Sequence, residues 1–228
     1  MQLLSVVGLL MVSYLIGAIP SGMIIVKLST GKDVRQVESG RTGGTNVMRA
    51  AGFWAGLATA LLDVLKSAVA VWLARAIFPL SLSPWYAWVH VLAPIAAILG
   101  HNYSVFLIRR DIKGRIRLGG GAGGAPCVGG SLGLWAPSVL IIMPIAAAIL
   151  YFVGYASIAT MSVALLSTLL FGILAIFGIT PWQYALYGII SFIILSWSLR
   201  PNIYRLVKGQ ERLVGMRARG MKAVAKNS

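Results

Sequence analysis

The chain has 228 residues, of which 58% are hydrophobic and only 11% are charged, and its mean hydropathy is +0.85. A soluble domain carries about twice that charged fraction, so the composition excludes an ordinary water-soluble fold and predicts an integral membrane protein. The charges are one-sided, with 20 Lys and Arg against 5 Asp and Glu. They lie in short segments between apolar blocks, which is typical of membrane topology and argues against a nucleic-acid-binding face.

Six apolar blocks approach the length of about 20 residues that a membrane-spanning helix needs. They lie at residues 3–26, 50–74, 85–108, 137–153, 157–178 and 182–199. The first block has no basic start and no small-residue cleavage site, so we interpret it as a retained membrane helix and not as a signal peptide.

Three cationic segments separate these blocks, at residues 27–49, 109–117 and 200–228, and the positive-inside rule places all three on the cytoplasmic side. An even number of crossings must then lie between the second segment and the third. The uncharged stretch 119–136 supplies a fourth helix beside the three apolar blocks found there. We therefore expect an all-α bundle of about seven transmembrane helices, the fourth and fifth short, with the N-terminus outside and the C-terminus inside.

This bundle is expected to form one transmembrane domain over residues 1–213, followed by a basic cytoplasmic tail over residues 214–228. The single cysteine, Cys127, excludes an intrachain disulfide. The two histidines are too few for a zinc-type cluster, and the sequence indicates no metal and no other cofactor.

Residues 38–49 combine glycines and hydroxyl side chains with an amide and two arginines, directly before an apolar block. Glycines allow a tight turn whose backbone N–H groups face an anion, and the start of the following helix adds its positive dipole end. Arg49 adds a guanidinium that is suited to bidentate phosphate binding. The residues alone leave open whether this loop binds phosphate or is a solvated connection whose glycines only turn the chain.

A second glycine-rich segment, residues 119–126, follows the basic residues of the second cationic segment and precedes another predicted helix. It has two interpretations. The glycines can expose backbone N–H groups to an anion, or they can let neighbouring helices pack closely. Both roles are compatible with one another.

Three ionisable residues lie within predicted spans. Asp63 and Lys66 are three positions apart and share a helix face, so they form either a salt bridge that locks helices or part of a site. His101 ends its apolar block beside the second cationic segment and is either a structural residue or an acid–base group.

In this order, the motifs resemble those of the acyl-phosphate-dependent glycerol-3-phosphate acyltransferase family, PlsY. The stretches that carry the resemblance are residues 14–22, 39–49, 62–66, 100–107 and 202–211. Such an ordered set is specific, although no single stretch is. The resemblance implies a membrane enzyme that transfers a fatty acyl group from acyl phosphate to the 1-hydroxyl of sn-glycerol 3-phosphate. The product is lysophosphatidate for phospholipid synthesis.

The resemblance also implies roles for individual residues. Those expected to be catalytic are Ser39, Arg49, His101 and Asn202. Those expected to bind substrate phosphate are Gly40, Arg41, Gly43, Thr45, Asn46, Arg115, Arg117, Gly120, Gly121 and Gly123. Asp63 and Lys66 are expected to support the site from within the membrane. Ser39 is also a conceivable acylated nucleophile, but no His–Asp pair in the sequence supports that role.

The chain departs from the family's second motif, Lys-Gly-Gly-Lys-Gly-Val-Ala-Thr, because Gly119 and Ala122 replace its two lysines. The family's asparagine in the first loop is replaced by an arginine, and a histidine near the closing motif is replaced by Leu199. Our hypothesis is that the lost cations are supplied by another arginine. The candidates are Arg41, Arg115 and Arg117.

Two other functions stay open at this stage. The missing lysines and histidine favour a catalytically inactive homologue that binds lipid or an anion, and glycine-rich broken helices also suit a small transporter. The expected partners are acyl phosphate, glycerol 3-phosphate and membrane lipids, without nucleic acid, and the protein is expected to be a monomer. The expected location is the bacterial inner (plasma) membrane, multi-pass, with the active site at the cytoplasmic face.

Overall fold

The computed structural model describes residues 2–110 and 114–218, which form ten α-helices and one β-hairpin. The helices are α1 Gln2–Ala18, α2 Ser21–Thr30, α3 Gly44–Ala51, α4 Phe53–Ile77, α5 Tyr86–Asn102, α6 Gly124–Leu134, α7 Ser138–Ala148, α8 Ala156–Ile176, α9 Gln183–Ser198 and α10 Arg200–Val207. The strands β1 Ser104–Arg110 and β2 Ile116–Gly119 lie between α5 and α6. A π-helical turn, Ile149–Val153, extends α7.

Each of the seven predicted spans contains a helix. The helices of the fourth and fifth spans, α6 and α7, have 11 residues each and are short, as expected. By length and composition, three helical segments of the described chain are able to cross a membrane: residues 2–30, α4 and α8. The bent pair α9–α10 raises that number to four. The crossing of the membrane by the shorter helices stays a prediction.

The first apolar block is not one continuous helix, because α1 ends at Ala18 and α2 begins at Ser21. Pro20 has no N–H group and restricts the residue before it, so the helix is interrupted there. Both carbonyl groups that face the break have donors. Lys66 Nζ donates to the Ile19 carbonyl at 2.6 Å, and Ser104 Oγ donates to the Ala18 carbonyl at 2.6 Å. The break therefore satisfies the rule that polar backbone groups within a membrane need partners.

The predicted third span, residues 85–108, is too long. Helix α5 ends at Asn102, and the chain continues as β1, which pairs antiparallel with β2. The register places Arg109 opposite Arg117. An apolar run by itself does not distinguish a helix from a strand, and the β-branched and aromatic residues of β1 favour the strand. The helical prediction therefore omitted this hairpin.

Glycines bring α6 close to α4. A Cβ built at Gly129 would overlap the backbone of Val64, and one built at Gly133 would come within 2.6 Å of the Val71 side chain. Small residues of this kind let membrane helices approach closely. The main apolar core includes residues of α4, α5, α6, α8 and α9, among them Val71, Phe171 and Tyr187.

The segment after α10 turns back onto the bundle. Leu213 pairs with Tyr155 in an antiparallel bridge, and the Val214 N–H donates to the Gly154 carbonyl at 2.9 Å. The Arg217 guanidinium donates to the Val153 carbonyl at 3.2 Å. The first residues of the predicted tail, 214–228, thus contact the connection between α7 and α8. Residues 219–228 of that tail lie outside the described part of the chain.

Candidate active site

A cavity of about 470 Å³ lies where two glycine-rich segments of the chain meet. We call residues 38–49 the first loop and residues 119–124 the glycine turn. The Thr42 N–H of the first loop donates to the Gly120 carbonyl at 3.3 Å, and Arg41 Nη1 donates to the Gly121 carbonyl at 2.8 Å. Helix α4, the start of α8 and residues 199–212 complete the cavity wall. The two segments therefore share one site.

Most of the predicted site residues line this cavity. Those present are Ser39, Arg41, Gly43, Thr45, Asn46, Arg49, Asp63, His101, Gly123 and Asn202. Those outside the lining are Gly40, Lys66, Arg115, Arg117, Gly120 and Gly121. Arg117 lies in the exposed strand β2 and Arg115 immediately precedes this strand, and neither lines the cavity. Gly120 and Gly121 contribute carbonyl groups that accept hydrogen bonds from the first loop.

Asn46 holds the first loop in shape. Its Nδ2 donates to the carbonyl groups of Val37 and Arg41, both at 2.9 Å, and shares one of these two hydrogens with the Val34 carbonyl at 3.2 Å. The side chain is 3% exposed, so these bonds are largely shielded from water. Although Asn46 lines the cavity, its amide nitrogen is engaged by the loop. This arrangement leaves Ser39 and the start of α3 facing the cavity.

Two helix N-termini face the cavity without a side-chain cap. Helix α3 follows the N-cap Gly43, and α6 follows the N-cap Gly123. Backbone N–H groups at such ends carry a positive partial charge and suit an anion. A third N-terminus, that of α8, is already occupied: the Glu211 carboxylate accepts hydrogen bonds from the Ser157 N–H at 3.3 Å and from the Ser157 hydroxyl. The ends of α3 and α6 therefore remain available to an anion from solution.

The side chains around the cavity carry a surplus of positive charge. The arginines that line it are Arg41, Arg49, Arg205 and Arg212, and the carboxylates are Glu38, Asp63 and Glu211. Glu38 pairs with Arg212, and Asp63 pairs with Lys66 at 2.7 Å. Three guanidinium groups are then balanced only by Glu211. Guanidinium groups in surplus are suited to binding phosphate.

Asp63, Lys66 and His101 form a buried group at the floor of the cavity. Asp63 Oδ1 accepts from Lys66 Nζ at 2.7 Å and lies 3.6 Å from His101 Nδ1, and all three side chains are at most 7% exposed. The ion pair between the charged residues is therefore present, and Asp63 and His101 also reach the cavity. In residues 2–110 and 114–218, no group of three His, Cys, Asp or Glu residues is arranged to hold a metal ion.

Glu211 and Ser157 are contributors that the sequence did not predict. Glu211 accepts from both polar groups of Ser157 and from Asn202 Nδ2 at 3.3 Å, so it joins α8 to α10 beside the cavity. Two signals for Glu211 were present: it ends the closing stretch 202–211 that carries the resemblance, and it is the only carboxylate of the third cationic segment, which holds eight basic residues. Ser157 had no signal, because a serine at the start of an apolar block is common.

Comparison with known proteins identifies a family. Residues 7–209 match the family model described as glycerol-3-phosphate acyltransferase. The glycerol-3-phosphate acyltransferase of Thermus thermophilus is 36% identical over 211 residues, which cover 92% of this chain and 95% of that protein. The one from Rubrobacter xylanophilus is 35% identical over 212 residues, covering 93% and 96%.

The fold is also similar to solved structures. A crystal structure of PlsY (YgiH), an integral membrane glycerol 3-phosphate acyltransferase, in its glycerol 3-phosphate form matches with a TM-score of 0.76 and 30% identity. The match covers 92% of this chain and 96% of that chain. The lysophosphatidic acid form matches with a TM-score of 0.75 and 28% identity, covering 94% and 97%.

These similarities confirm the fold class and the resemblance predicted from the motifs. The chain is a mostly helical integral membrane protein, and its relatives across nearly their full length are acyltransferases. This chain belongs to the glycerol-3-phosphate acyltransferase family.

Proposed function

We propose that this protein transfers the fatty acyl group of an acyl phosphate to the 1-hydroxyl of sn-glycerol 3-phosphate, giving lysophosphatidate and inorganic phosphate. The observation that carries the proposal is one cavity that combines surplus arginine charge and two uncapped helix N-termini with an apolar wall. The structural relatives in glycerol 3-phosphate and lysophosphatidic acid forms support the choice of acceptor and product.

The apolar wall suits the fatty chain of the donor. Phe53 and Leu57 of α4 line the cavity and are also exposed on the surface of the bundle, and Leu150 of the π-helical turn lies in the same lining. A fatty chain is therefore able to leave the cavity between α4 and that turn and to stay among apolar groups. The phosphate of the same donor then lies at the arginines.

The chemistry needs two anions held together against their repulsion. The acceptor hydroxyl oxygen attacks the carbonyl carbon of the acyl phosphate, the bond from that carbon to the phosphate oxygen breaks, and phosphate leaves with the bonding electrons. Arg49 and its neighbouring guanidinium groups offset the repulsion and orient the reactants. The Ser39 hydroxyl and the N–H groups at the start of α3 stabilise the oxyanion. The acceptor proton goes to His101 or to a substrate phosphate.

Direct transfer is favoured over an acylated serine. An activated serine nucleophile needs a base within hydrogen-bond reach. In the described part of the chain, Ser39 Oγ accepts from the Arg41 N–H at 3.4 Å and makes no hydrogen bond to His101. An acyl phosphate already has a good leaving group and needs little covalent help. Asn202, held by Glu211, orients glycerol phosphate in this scheme.

We place the protein in the bacterial inner membrane as a monomer surrounded by lipid, with the N-terminus outside, the C-terminus inside and the cavity at the cytoplasmic face. The cavity takes Arg49 from the first cationic segment and Arg205 from the third, and both segments are cytoplasmic by the positive-inside rule. The positive charge thus serves substrate anions, and no nucleic acid is involved.

The test is an assay of the purified protein with acyl phosphate and glycerol 3-phosphate, following lysophosphatidate and released phosphate by mass. A parallel assay replaces acyl phosphate with acyl-CoA of the same chain length. The proposal expects product from acyl phosphate and none from acyl-CoA above a heat-inactivated control. Product from acyl-CoA alone would contradict the donor, and the absence of product from both would contradict the function.

A further inference from the structure

The glycine turn contributes backbone to the cavity but no charge. Residues 119–126 contain no charged side chain, and Ala122 presents only a methyl group to the cavity. Arg115 and Arg117, which precede the turn in sequence, do not line the cavity. Among the described residues, positive charge beside this turn therefore comes from another segment.

Arg41 brings that charge from the first loop. Its Nη1 donates to the Gly121 carbonyl at 2.8 Å and to Ser198 Oγ at 3.2 Å, and its Nη2 donates to the Ser198 carbonyl at 2.5 Å. Because the Gly121 carbonyl belongs to the peptide group that joins Gly121 to Ala122, this bond brings the guanidinium to the backbone of the residue that lines the cavity. These bonds use three of the five N–H groups of a guanidinium. The Arg41 side chain itself also lines the cavity.

No carboxylate in the described part of the chain neutralises this guanidinium. Among residues 2–110 and 114–218, Arg41 takes part in no ion pair. Burial lowers the pKa of Arg41, an effect that nearby Tyr103 opposes and nearby Arg205 reinforces. The ordinary arginine pKa is so far above neutrality that the group stays protonated at pH 7. A shielded cation without a counter-ion is suited to an anion that enters the cavity.

We propose that Arg41 binds a substrate phosphate beside Ala122 and so supplies the positive charge that the glycine turn lacks. This inference rests on the proposed function, because the phosphate is that of glycerol 3-phosphate or of acyl phosphate. A purely structural role makes a different prediction. Ser198 is the last residue of α9, and a cation bonded to a terminal carbonyl stabilises a helix, so a capping role would affect stability and leave substrate affinity unchanged.

Moving the charge from residue 41 to residue 122 tests the proposal. Arg41→Asn removes the cation, and Ala122→Lys in the same chain returns one beside the same turn. The KM of each substrate, kcat and the thermal unfolding midpoint are measured for the wild type, both single variants and the double variant. We expect Arg41→Asn to raise the KM of one substrate at least tenfold. We expect the double variant to recover at least tenfold in kcat/KM over Arg41→Asn.

The substrate whose KM rises identifies the phosphate that Arg41 binds. The matched control is Arg109→Asn, which removes an exposed hairpin arginine outside the cavity and is expected to stay within twofold of the wild type. A folded Arg41→Asn variant with both KM values unchanged would overturn the proposal. A double variant no better than Arg41→Asn would overturn it as well.

A second pair of variants keeps Arg41 in place and tests whether it binds phosphate even if Arg41→Asn does not fold. Ala122→Glu adds a carboxylate beside the guanidinium, and Ala122→Gln adds the same bulk without charge. The proposal expects a KM at least tenfold higher for the glutamate variant, and equal KM values would refute it. An inactive wild type would contradict the proposed function but not the role of Arg41. The Kd of inorganic phosphate would then be measured for these two variants, and we expect it to be at least tenfold higher for the glutamate variant.

Discussion

The first loop and the glycine turn are both rich in glycine and meet at the same cavity, yet they contribute different things to it. The first loop brings Arg41 and Arg49, two of the four arginines that line the cavity, and a Cβ built at its Gly43 meets no atom within 4 Å. The glycine turn brings no charge, and a Cβ built at Gly120 would overlap the carbonyl oxygens of His101 and Asn102. The two segments thus differ in charge and in the room around these two glycines. The following substitutions test this difference.

Arg49→Ala is expected to have the largest effect, because it removes phosphate-binding charge from the first loop. We expect kcat/KM to fall by about 10³, which corresponds to roughly 4 kcal/mol of lost transition-state stabilisation. Arg49→Lys keeps the charge but loses the bidentate geometry, so its kcat/KM is expected to lie between those of the wild type and Arg49→Ala. The thermal midpoint should change little, because the side chain is exposed. Turnover of the alanine variant within a few-fold of the wild type would remove Arg49 from the role.

Gly120→Ala is expected to act on stability instead of affinity, because its methyl group would overlap two backbone carbonyl oxygens. Overpacking of this kind costs about 3 kcal/mol at the upper end of its usual range. The measurement is thermal unfolding in detergent, with Ala122→Gly as a control in the same turn. A Gly120→Ala protein as stable as the wild type would show that packing does not explain this glycine.

Glu211→Gln tests the difference between the helix ends. Glu211 occupies the N-terminus of α8, while the N-termini of α3 and α6 have no side-chain cap. Removing the negative charge from a partly buried helix end is expected to cost about 2 kcal/mol. The control is Glu38→Gln at the exposed pair with Arg212, where a loss below about 1 kcal/mol is expected. Equal losses for the two variants in urea or thermal unfolding would contradict a special role for the α8 end.

Gly43→Ala is expected to have the smallest effect. The residue has φ −78°, which alanine adopts without strain, so stability should stay within about 0.5 kcal/mol of the wild type. The added methyl group enters the cavity near the start of α3, and we expect the KM for glycerol 3-phosphate to rise by a few-fold. An unchanged KM, measured beside the wild type, would indicate that the substrate does not approach this helix end.

The sequence predicted most of the helical segments, because a bilayer imposes a length of apolar chain that can be counted. It also predicted the first loop as a candidate anion site, since glycines, hydroxyl groups and arginines occur there within a few residues. It failed at β1, where an apolar run of the right length forms a strand. The break at Pro20 was visible as a proline, but membrane helices often continue past one, so its position alone did not decide the outcome.

The contacts that join the site are long-range and have no local signature. Arg41 and Gly121 are 80 residues apart, and Ser157 and Glu211 are 54 residues apart. Hydrophobic periodicity reports which face of one segment is buried, but it does not report which other segment covers that face. For this reason the sequence left Arg41, Arg115 and Arg117 as equal candidates for the missing cation. Packing of the first loop against the glycine turn distinguishes Arg41 from the other two.

The most direct test of the shared cavity is an experimental structure of the protein with glycerol 3-phosphate bound. We expect the phosphate to lie within hydrogen-bond distance of Arg49 or of the N–H groups at the start of α3, with the glycine turn on the opposite side of the same cavity. A phosphate bound elsewhere, with neither the first loop nor the glycine turn in contact with the ligand, would contradict this expectation.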